Sequence, residues 1–240
     1  MIHDREQKYD GTVPAAVTVD LVIFTIRDAA LHVLLIRRGK PPFEGEFTLP
    51  GGFVRVGENL DEAALRELEE ETGVDGRTLH LEQLRTFGDS GRDPRCRTYT
   101  VAYLALGPDL PIPVAGTDAR EAHWVPVSTA LSPTVLHAFD HAEILKEGLD
   151  RARAKLEYTT VAAAFCREPF TLADLRHVYE VTWGFPLDPS NFRRKVTKAV
   201  DFVRATGEFR SLEVGRPAAL YRRGQAENLF PPMTRADHNS

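Results

Sequence analysis

The sequence predicts an α/β fold in two domains, and three observations carry that prediction. Apolar, β-branched runs follow the amino terminus, a short acidic helix follows a glycine-rich loop, and the last third of the chain has the pattern of short helices followed by a hairpin. The charge changes with the pattern, because residues 1–150 hold 15 Lys and Arg against 25 Asp and Glu, whereas residues 151–224 hold 14 against 8. We expect domains at 14–150 and 151–224, with flexible segments at 1–13 and 225–240.

Strand patterns dominate the first domain. A hairpin is predicted from the run AAVTVDLVIFTIRD, a turn at Asp28-Ala29-Ala30, and the run LHVLLIRR. Aromatic and β-branched content predicts further strands at 47–49, 79–88, 97–106 and 121–127, and helical composition predicts a helix at 136–156. His137 and His141 are four residues apart, but no carboxylate pattern completes a metal site, so we expect both to be exposed.

An acidic helix is predicted at 60–72. Asn59 and Glu62 form a capping pattern at its start, and Gly73 suits a left-handed cap at its end. Three glutamates at i, i+3 and i+4 converge on one face, namely Glu67, Glu70 and Glu71. Such like charges repel, and oxygen ligands favour hard divalent cations such as Mg²⁺ or Mn²⁺. The alternative is an ordinary solvated face.

The surrounding pattern favours the metal interpretation. Gly51 and Gly52 allow close backbone approach ahead of the helix, and residues 52–74, GFVRVGENLDEAALRELEEETGV, fit G-x5-E-x7-R-E-U-x-E-E-x-G-U at every position, where U is apolar. This run resembles the Nudix box of the Nudix hydrolases, which cleave a diphosphate joined to a nucleoside.

The resemblance implies an α/β/α sandwich and a set of roles. Metal ligands would be Glu67, Glu70 and Glu71, with Glu58 as a further ligand or as a group behind them. Arg66 would orient the carboxylates, so that Glu70, Glu71 and Arg66 form the catalytic group. Mg²⁺ would bridge the diphosphate and acidify a water. The general base is not identified.

Four arginines are candidate ligand-binding residues beside the two loop glycines. Arg37 and Arg38 leave a predicted strand just before the glycine-rich loop, and could bind phosphate or simply be solvated. Arg92 and Arg95 lie in the loop DSGRDPR, and Nudix relatives that handle ADP-ribose-like substrates often carry a similar RDPR stretch. The alternative is a surface turn with its corner at Asp93-Pro94.

The second domain is predicted to be a winged helix-turn-helix. Helices are expected at 158–165, after Thr171 and after Asp188, and a hairpin is expected at 208–214 and 218–222. An apolar stripe of the third helix comprises Phe192, Val196, Ala199, Val200 and Val203. A neighbouring basic ridge, with the tip of the hairpin, gives the candidate DNA-binding residues Asn191, Arg193, Arg194, Lys195, Lys198 and Arg216. A solvated basic face is the alternative.

The runs TLADLRHVYEVTWGFPLDPSNFRRKV and GRPAALYR resemble the Nudix-related transcriptional regulators of NAD metabolism, and the resemblance covers about residues 14–223. It implies a homodimeric repressor that binds palindromic, double-stranded operator DNA near NAD biosynthesis or salvage genes. The repressor would release this DNA when its first domain binds ADP-ribose or a related NAD metabolite.

Two enzymatic alternatives remain at this stage. The intact box permits an ADP-ribose pyrophosphatase that yields AMP and ribose 5-phosphate, alone or beside the regulatory role, and a hydrolase of nucleoside triphosphates is a further possibility. The amino terminus has no signal-peptide core and no apolar run reaches the length of a membrane span, so we expect a cytoplasmic protein with no membrane partner. The two cysteines predict reduced thiols.

Overall fold

The computed structural model describes residues 14–111, 121–211 and 215–235, and its first domain is built on a seven-stranded mixed sheet. The order along the sheet is β3-β2-β1-β6-β5, with β4 paired to β1 and β7 paired to β2; β1 and β6 run parallel, and the other pairs are antiparallel. The strands are β1 Ala16–Arg27, β2 Ala30–Arg37, β3 Phe47–Thr48, β4 Gly51–Phe53, β5 His80–Phe87, β6 Thr98–Leu106 and β7 Glu121–Pro126.

The β1–β2 hairpin turns where the sequence predicts it. Asp28 and Ala29 both have positive φ, 46° and 59°, which gives the tight turn whose twist matches that of the two strands. The central part of β1 is an unbroken buried run, because helices cover both faces of the sheet.

Helices on opposite faces divide the core of the first domain in two. Helix α1, Leu60–Thr72, packs its buried alanines and Leu68 against one face, and α3, His141–Tyr158, packs Ile144 and Leu149 against the other. The short α2, Val127–Ala130, packs in the same core as α3. The expected α/β/α sandwich is confirmed.

The second domain is a winged helix-turn-helix, as predicted. A 3₁₀ helix, Thr160–Phe165, precedes α4 Leu172–Trp183 and α5 Pro189–Lys198. A three-stranded sheet, ordered β8-β10-β9, is formed by β8 Phe170–Thr171, β9 Val203–Arg210 and β10 Ala218–Arg223. Strands β9 and β10 form the wing. Asp188 caps α5 and Pro189 occupies its first turn, where a missing amide proton is tolerated.

Helix α3 belongs to both domains. Its first turn lies at the sheet of the first domain, and its later turns contact α4 of the second. The Arg153 guanidinium donates to the Thr182 carbonyl at 3.0 Å, and the Trp183 indole donates to the Arg153 carbonyl at 3.2 Å. One helix therefore connects the two halves of the protein.

Several predicted helix boundaries are wrong. The helix expected at 136–156 begins only at His141, because Phe139 adopts a positive φ of 56° and interrupts any helix before it. The helix expected at 158–165 is instead the end of α3 followed by the 3₁₀ helix, which starts at the extended residue Thr159. Helical structure therefore spans the junction between the domains, with one break at Thr159.

The third helix of the second domain is shorter than its apolar stripe suggested. Helix α5 ends at Lys198, Ala199 is extended, Val200 is 68% exposed, and Val203 begins β9. Asp201, with a positive φ of 49°, makes the turn between helix and strand. The first wing strand accordingly starts earlier than predicted, and the end of its predicted range, 212–214, lies outside the described residues.

Two segments expected to be irregular are ordered. Gly51–Phe53 forms β4 rather than only a loop, because its backbone pairs with β1. Residues 225–235, predicted as part of a flexible tail, lie along the end of α3, where Leu229 and Met233 are 6% and 1% exposed. The predicted flexible amino terminus at 1–13 lies outside the described residues. Across the part of the chain that is described, no helix is both long and apolar enough to cross a membrane.

Candidate functional site: a cation-lined cavity and a basic helix

A cavity of about 440 Å³ opens at the edge of the first domain, between the ends of β2, β4, α1 and α3. The structure places all six predicted ligand-binding residues around it, together with one of the box glutamates. These residues are Arg37, Arg38, Gly51, Gly52, Glu71, Arg92 and Arg95. Residues separated by more than 50 positions in sequence thus share one cavity.

Helix α1 holds the box residues in a fixed orientation. The Asn59 side chain accepts from the Glu62 amide and Glu62 accepts from the Asn59 amide, both at 2.9 Å, which completes the predicted capping box. Gly73 ends the helix in the left-handed conformation. A buried stripe around Leu68 fixes the helix on the sheet, so the acidic face turns toward the loop that carries β4.

Arg66 is the centre of the acidic cluster. Its guanidinium donates to Glu58 at 2.7 and 3.1 Å, to Glu67 at 2.6 Å and to Glu70 at 3.4 Å. The hydrogen bond from Arg66 holds the pKa of the Glu58 carboxyl at about 2, well below its ordinary value. The arginine therefore orients three of the four predicted metal ligands at once.

The two glycines of β4 are explained by close approach. A Cβ atom at Gly52 would lie 2.2 Å from the Glu67 Oε1 atom, and one at Gly51 would lie 2.2 Å from the Val19 carbonyl oxygen. A side chain at either position would displace the strand or the glutamate. Glycine at these positions lets the backbone lie directly against the acidic face.

Glu71 is the carboxylate that the protein leaves unsatisfied. Its Oε2 atom is buried and has no hydrogen-bond partner among the described residues. Burial, together with the negative charges of Glu67 and Glu70, raises the pKa of Glu71 to about 7. This side chain faces the cavity, so a bound cation would meet a carboxylate that lacks any other partner.

A buried ionic network forms the back wall of the cavity. Arg92 donates to both oxygens of Asp140, at 2.8 and 2.7 Å, and to Asp20 at 3.4 Å. His141 Nδ1 accepts from the Leu49 amide at 2.8 Å, which places the ring proton on Nε2, 3.7 Å from Asp20. The expectation that His141 is exposed is wrong, because the first turn of α3 packs it against the sheet at 4% exposure. His137, also expected to be exposed, is partly buried and contacts the Ala130 carbonyl.

Arg38 and Arg95 meet at the ring of Phe139. Their guanidinium carbons lie 4.8 and 5.6 Å from the ring centroid. Arg95 is paired with Asp93, whereas Arg38 hydrogen-bonds only to backbone carbonyls among the described residues. Burial lowers the pKa of Arg38, and the charge of Arg95 lowers it further. Such a poorly compensated cation beside a second arginine suits a phosphate.

The other two predicted arginines are largely engaged within the protein. Arg37 donates to the Gly45 carbonyl and lies 3.7 Å from Glu121 across the strand pair. Arg92 is neutralised by its two carboxylates, so it supports the cavity wall. The cation that the structure leaves for a ligand is chiefly Arg38, with Arg95 beside it.

The basic ridge of α5 faces away from the core of the winged helix domain. Phe192 and Val196 are buried, whereas Arg193, Arg194 and Lys198 are exposed. Two members of the ridge, Asn191 and Lys195, are half-buried, and Arg194 donates to the Asn191 side chain at 2.7 Å. Arg216 is exposed at the base of the turn before β10. All six predicted DNA-binding residues thus lie on α5 or on the wing.

Comparison with protein families matches both halves of the chain. The NUDIX domain model matches residues 16–147, and the NrtR DNA-binding winged helix domain model matches residues 162–223. The chain belongs to the NrtR group of NUDIX proteins.

Relatives of this NrtR-group chain extend over most of its length. It is 34% identical over 218 residues to the ADPR responsive transcriptional repressor NtrR of Acinetobacter baylyi, which covers 90% of this chain and 84% of that protein. It matches the Shewanella oneidensis NrtR structure complexed with a 27mer DNA at a TM-score of 0.75 and 37% identity, over 89% of this chain and 99% of that one. An ADP-ribose pyrophosphatase of Methanocaldococcus jannaschii is 36% identical over 59% of this chain and 77% of its own length.

NUDIX hydrolases generally use divalent metal ions, and the acidic cluster of this NrtR-group chain fits such an ion. Every candidate donor is a carboxylate oxygen, and Glu71, whose buried Oε2 atom has no hydrogen-bond partner among the described residues, lines the cavity. Among the described residues, no three His, Cys, Asp or Glu side chains already stand in metal-binding geometry, since Glu58, Glu67 and Glu70 are paired with Arg66.

Sequence reasoning missed Asp20, Phe139 and His141, which line the cavity, and Asp140, which pairs with Arg92. Asp20, Asp140 and Phe139 were not singled out, and His141 was assigned to the surface. Asp20 carried a usable signal, because a carboxylate inside the apolar run VTVDLVIF is either strongly paired or functional. The others are brought to the cavity only by the start of α3, which the sequence placed five residues too early.

Proposed function

We propose that this protein is a transcriptional repressor of NAD biosynthesis or salvage genes, and that its first domain senses ADP-ribose or a related NAD metabolite. The relative from Acinetobacter is an ADPR responsive repressor, and it aligns with both domains. The observation that carries the proposal is the presence, in one chain, of a cavity lined by Arg38 and Arg95 and of an exposed basic helix in a winged helix-turn-helix.

Helix α3 supports control of the second domain by the first. His141, at its start, lines the cavity, Asp140 just before it accepts from the lining residue Arg92, and Arg153, farther along, contacts α4. A metabolite that changes the wall favours one arrangement of α3, and that arrangement sets where α5 lies. By reciprocity, operator DNA then weakens metabolite binding.

Operator recognition requires two copies of α5. A palindromic operator presents two half-sites, about one helical turn or a multiple of it apart. We therefore propose a homodimer, acting in the cytoplasm where the promoter DNA lies. In the binding-site assignment, Asn191, Arg193, Arg194, Lys195, Lys198 and Arg216 contact DNA, and Arg37, Arg38, Gly51, Gly52, Arg92 and Arg95 form the metabolite site.

A gel-shift titration tests the repressor function. Promoter DNA of NAD genes is titrated with the wild-type protein, with and without ADP-ribose, beside a scrambled duplex of equal length. The promoter is shifted at a lower protein concentration than the scrambled duplex, and ADP-ribose reverses the shift. Arg194→Ala weakens binding to the promoter, whereas Arg85→Ala, which removes an exposed arginine of the first domain, does not. Equal binding to both duplexes would refute the proposal.

A second candidate function is an Mg²⁺- or Mn²⁺-dependent ADP-ribose pyrophosphatase that yields AMP and ribose 5-phosphate. The observation that favours it is the orphaned carboxylate of Glu71 beside an intact box. When bound, the metal supplies neutralisation of the diphosphate and lowers the pKa of a water. The metal would be held by Glu67, Glu70 and Glu71, with Glu58 behind them, while Arg66 orients these carboxylates and Arg38 binds phosphate.

Product analysis separates this activity from binding alone. ADP-ribose is incubated with Mg²⁺ and the full chain, and AMP is measured by chromatography. Glu70→Gln abolishes AMP release, whereas Glu69→Gln, on the exposed side of the same helix, preserves it. If wild type and Glu70→Gln release the same amount of AMP, the pyrophosphatase function is excluded and the repressor function is untouched.

A further inference from the structure

A second cavity, of about 470 Å³, lies in the winged helix domain between the starts of α4 and α5 and the wing. Its described lining includes three arginines and no acidic residue. Arg176 comes from α4, Arg193 from α5, and Arg216 from the turn before β10. Three separate elements thus place a cation at one concave site.

The first turns of two helices also line this cavity. Leu172 and Ala173 belong to the first turn of α4 and Ser190 to the first turn of α5, and all three line the cavity. Amides in the first turn of a helix have no acceptor within that helix, and both helix dipoles place positive charge there. Two helix starts and three arginines therefore favour an anion at this position.

The carboxylates of Asp174 and Asp188 cap the two helix starts, but two of the three arginines have no ion-pair partner among the described residues. Arg193 and Arg216 are exposed, and neither has an ion-pair or hydrogen-bond partner among the described residues. Arg176 lies 3.3 Å from Glu180, yet its buried Nε atom makes no hydrogen bond, and Glu180 also accepts the Leu187 amide. The side-chain donors of Arg193 and Arg216 are therefore available to a ligand.

We infer that this cavity binds a phosphodiester group of the operator backbone. The cavity is larger than a phosphate, and the exposed ring of Phe209, at 65% exposure, provides a surface for the adjoining sugar. The inference rests on the proposed DNA-binding function and revises its details. Arg176 joins the interface, and Arg193 and Arg216 are assigned to the DNA backbone.

The rest of the α5 ridge is then assigned to contacts with base edges. Arg194 is exposed, does not line the cavity, and has the paired donors that match a guanine edge. Contacts to phosphate fix position without carrying sequence information, whereas contacts to base edges discriminate. Loss of a cavity arginine is therefore expected to weaken binding to every DNA sequence, whereas loss of Arg194 is expected to weaken discrimination between sequences.

Salt dependence of DNA binding tests the assignment. Fluorescence anisotropy of the full-length protein is measured with the promoter duplex and a scrambled duplex, between about 50 and 300 mM salt. Arg176→Gln and Arg216→Gln each reduce the slope of log affinity against log salt by about 0.9 on both duplexes, with the affinity ratio of the duplexes changed by less than about twofold. Arg167→Gln, which removes an exposed arginine outside the cavity, leaves the slope unchanged.

Two results of this titration would overturn the inference. If the promoter binds the wild type but both variants keep the wild-type slope, or lose affinity for the promoter alone, the cavity does not hold backbone phosphate. Arg216→Gln keeps this test valid if Arg176→Gln fails to fold, because Arg216 is an exposed turn residue. A wild type that binds neither duplex overturns the repressor function as well.

A free phosphate-bearing metabolite is the other source of the same chemistry. ADP-ribose and inorganic phosphate are each titrated calorimetrically into wild type and Arg216→Gln without DNA. Equal heats for the two proteins agree with a DNA phosphate. Weaker binding of either compound to Arg216→Gln would make the cavity a metabolite site and overturn the inference.

Discussion

The Arg92 guanidinium donates one hydrogen bond to each carboxylate oxygen of Asp140, at 2.8 and 2.7 Å, and Asp140 is the residue that immediately precedes α3. The loop of the first domain that carries Arg92 is therefore tied to the helix that reaches the second domain. Because the Arg92 side chain is 4% exposed, water does little to weaken this pair.

Replacing Arg92 tests the strength of this connection. Arg92→Ala leaves the carboxylates of Asp20 and Asp140 without their cation in a buried setting, so we expect the free energy of unfolding to fall by about 3 kcal/mol. Urea denaturation measures it. Arg85→Ala removes an exposed arginine that pairs with Glu143 on the same helix, and is expected to change stability by less than about 0.5 kcal/mol. Equal losses in the free energy of unfolding for the two substitutions would show that the Arg92–Asp140 pair does not stabilise the fold.

Gly52 tests the packing of the backbone against the acidic helix. Gly52→Ala places a methyl group where Glu67 now lies, which displaces that carboxylate and breaks its 2.6 Å bond to Arg66. We expect Mg²⁺ affinity, measured by calorimetry, to fall at least about tenfold. Gly91→Ala is the matched control, since a Cβ there meets no atom within 4 Å and the backbone is not left-handed. A Gly52→Ala protein with wild-type affinity would exclude Glu67 as a ligand.

Glu71 predicts a dependence of stability on pH. Its folded pKa of about 7 lies above the ordinary value of 4.5, so its contribution to stability is fully present below pH 4.5 and is lost as the pH rises through about 7. Thermal unfolding without metal is therefore expected to show stability falling across this window.

Glu71→Gln provides the matched comparison for that window. The variant no longer carries the charge, so its melting temperature falls less between pH 4.5 and 7, and added Mg²⁺ at higher pH restores stability to the wild type only. Identical pH profiles for the two proteins would show that Glu71 does not titrate in this range.

Met233 reports on the carboxyl-terminal segment. Met233→Ala creates a cavity at a 1% exposed position beside α3, and we expect a loss of about 2 to 4 kcal/mol in urea denaturation. Phe230→Ala, three residues earlier and 76% exposed, is expected to change stability by less than about 0.5 kcal/mol. If Met233→Ala is equally harmless, the segment does not stabilise the fold in solution.

The sequence predicted best where local chemistry decides structure. Helix α1 has its expected bounds because a capping box, an apolar stripe and a terminal glycine all act within 15 residues. Helix α5 was predicted to be too long, because the apolar stripe continues past Lys198, where α5 ends, to Val203, where the wing strand β9 begins. Periodicity alone does not report where a chain turns back.

The candidate site shows the same division. Glu67, Glu70 and Glu71 are neighbours in sequence, so their grouping on one face followed from helix geometry. Arg92, Asp140, Asp20 and His141 form one network from positions up to 121 residues apart, and only the folded sheet brings them together. That Glu71, rather than Glu67 or Glu70, lacks a partner depends on where Arg66 points, which no local pattern contains.

Helix α3 runs without a break through 18 residues, a length of about 27 Å. A rod of this length magnifies small angular changes: a tilt of about 5° at its first turn moves its last turn by roughly 2 Å. Since Arg153 of α3 contacts α4 and the last turn of α3 lies beside the carboxyl-terminal segment, a tilt that begins at Asp140 would move both contacts, and with them the second domain.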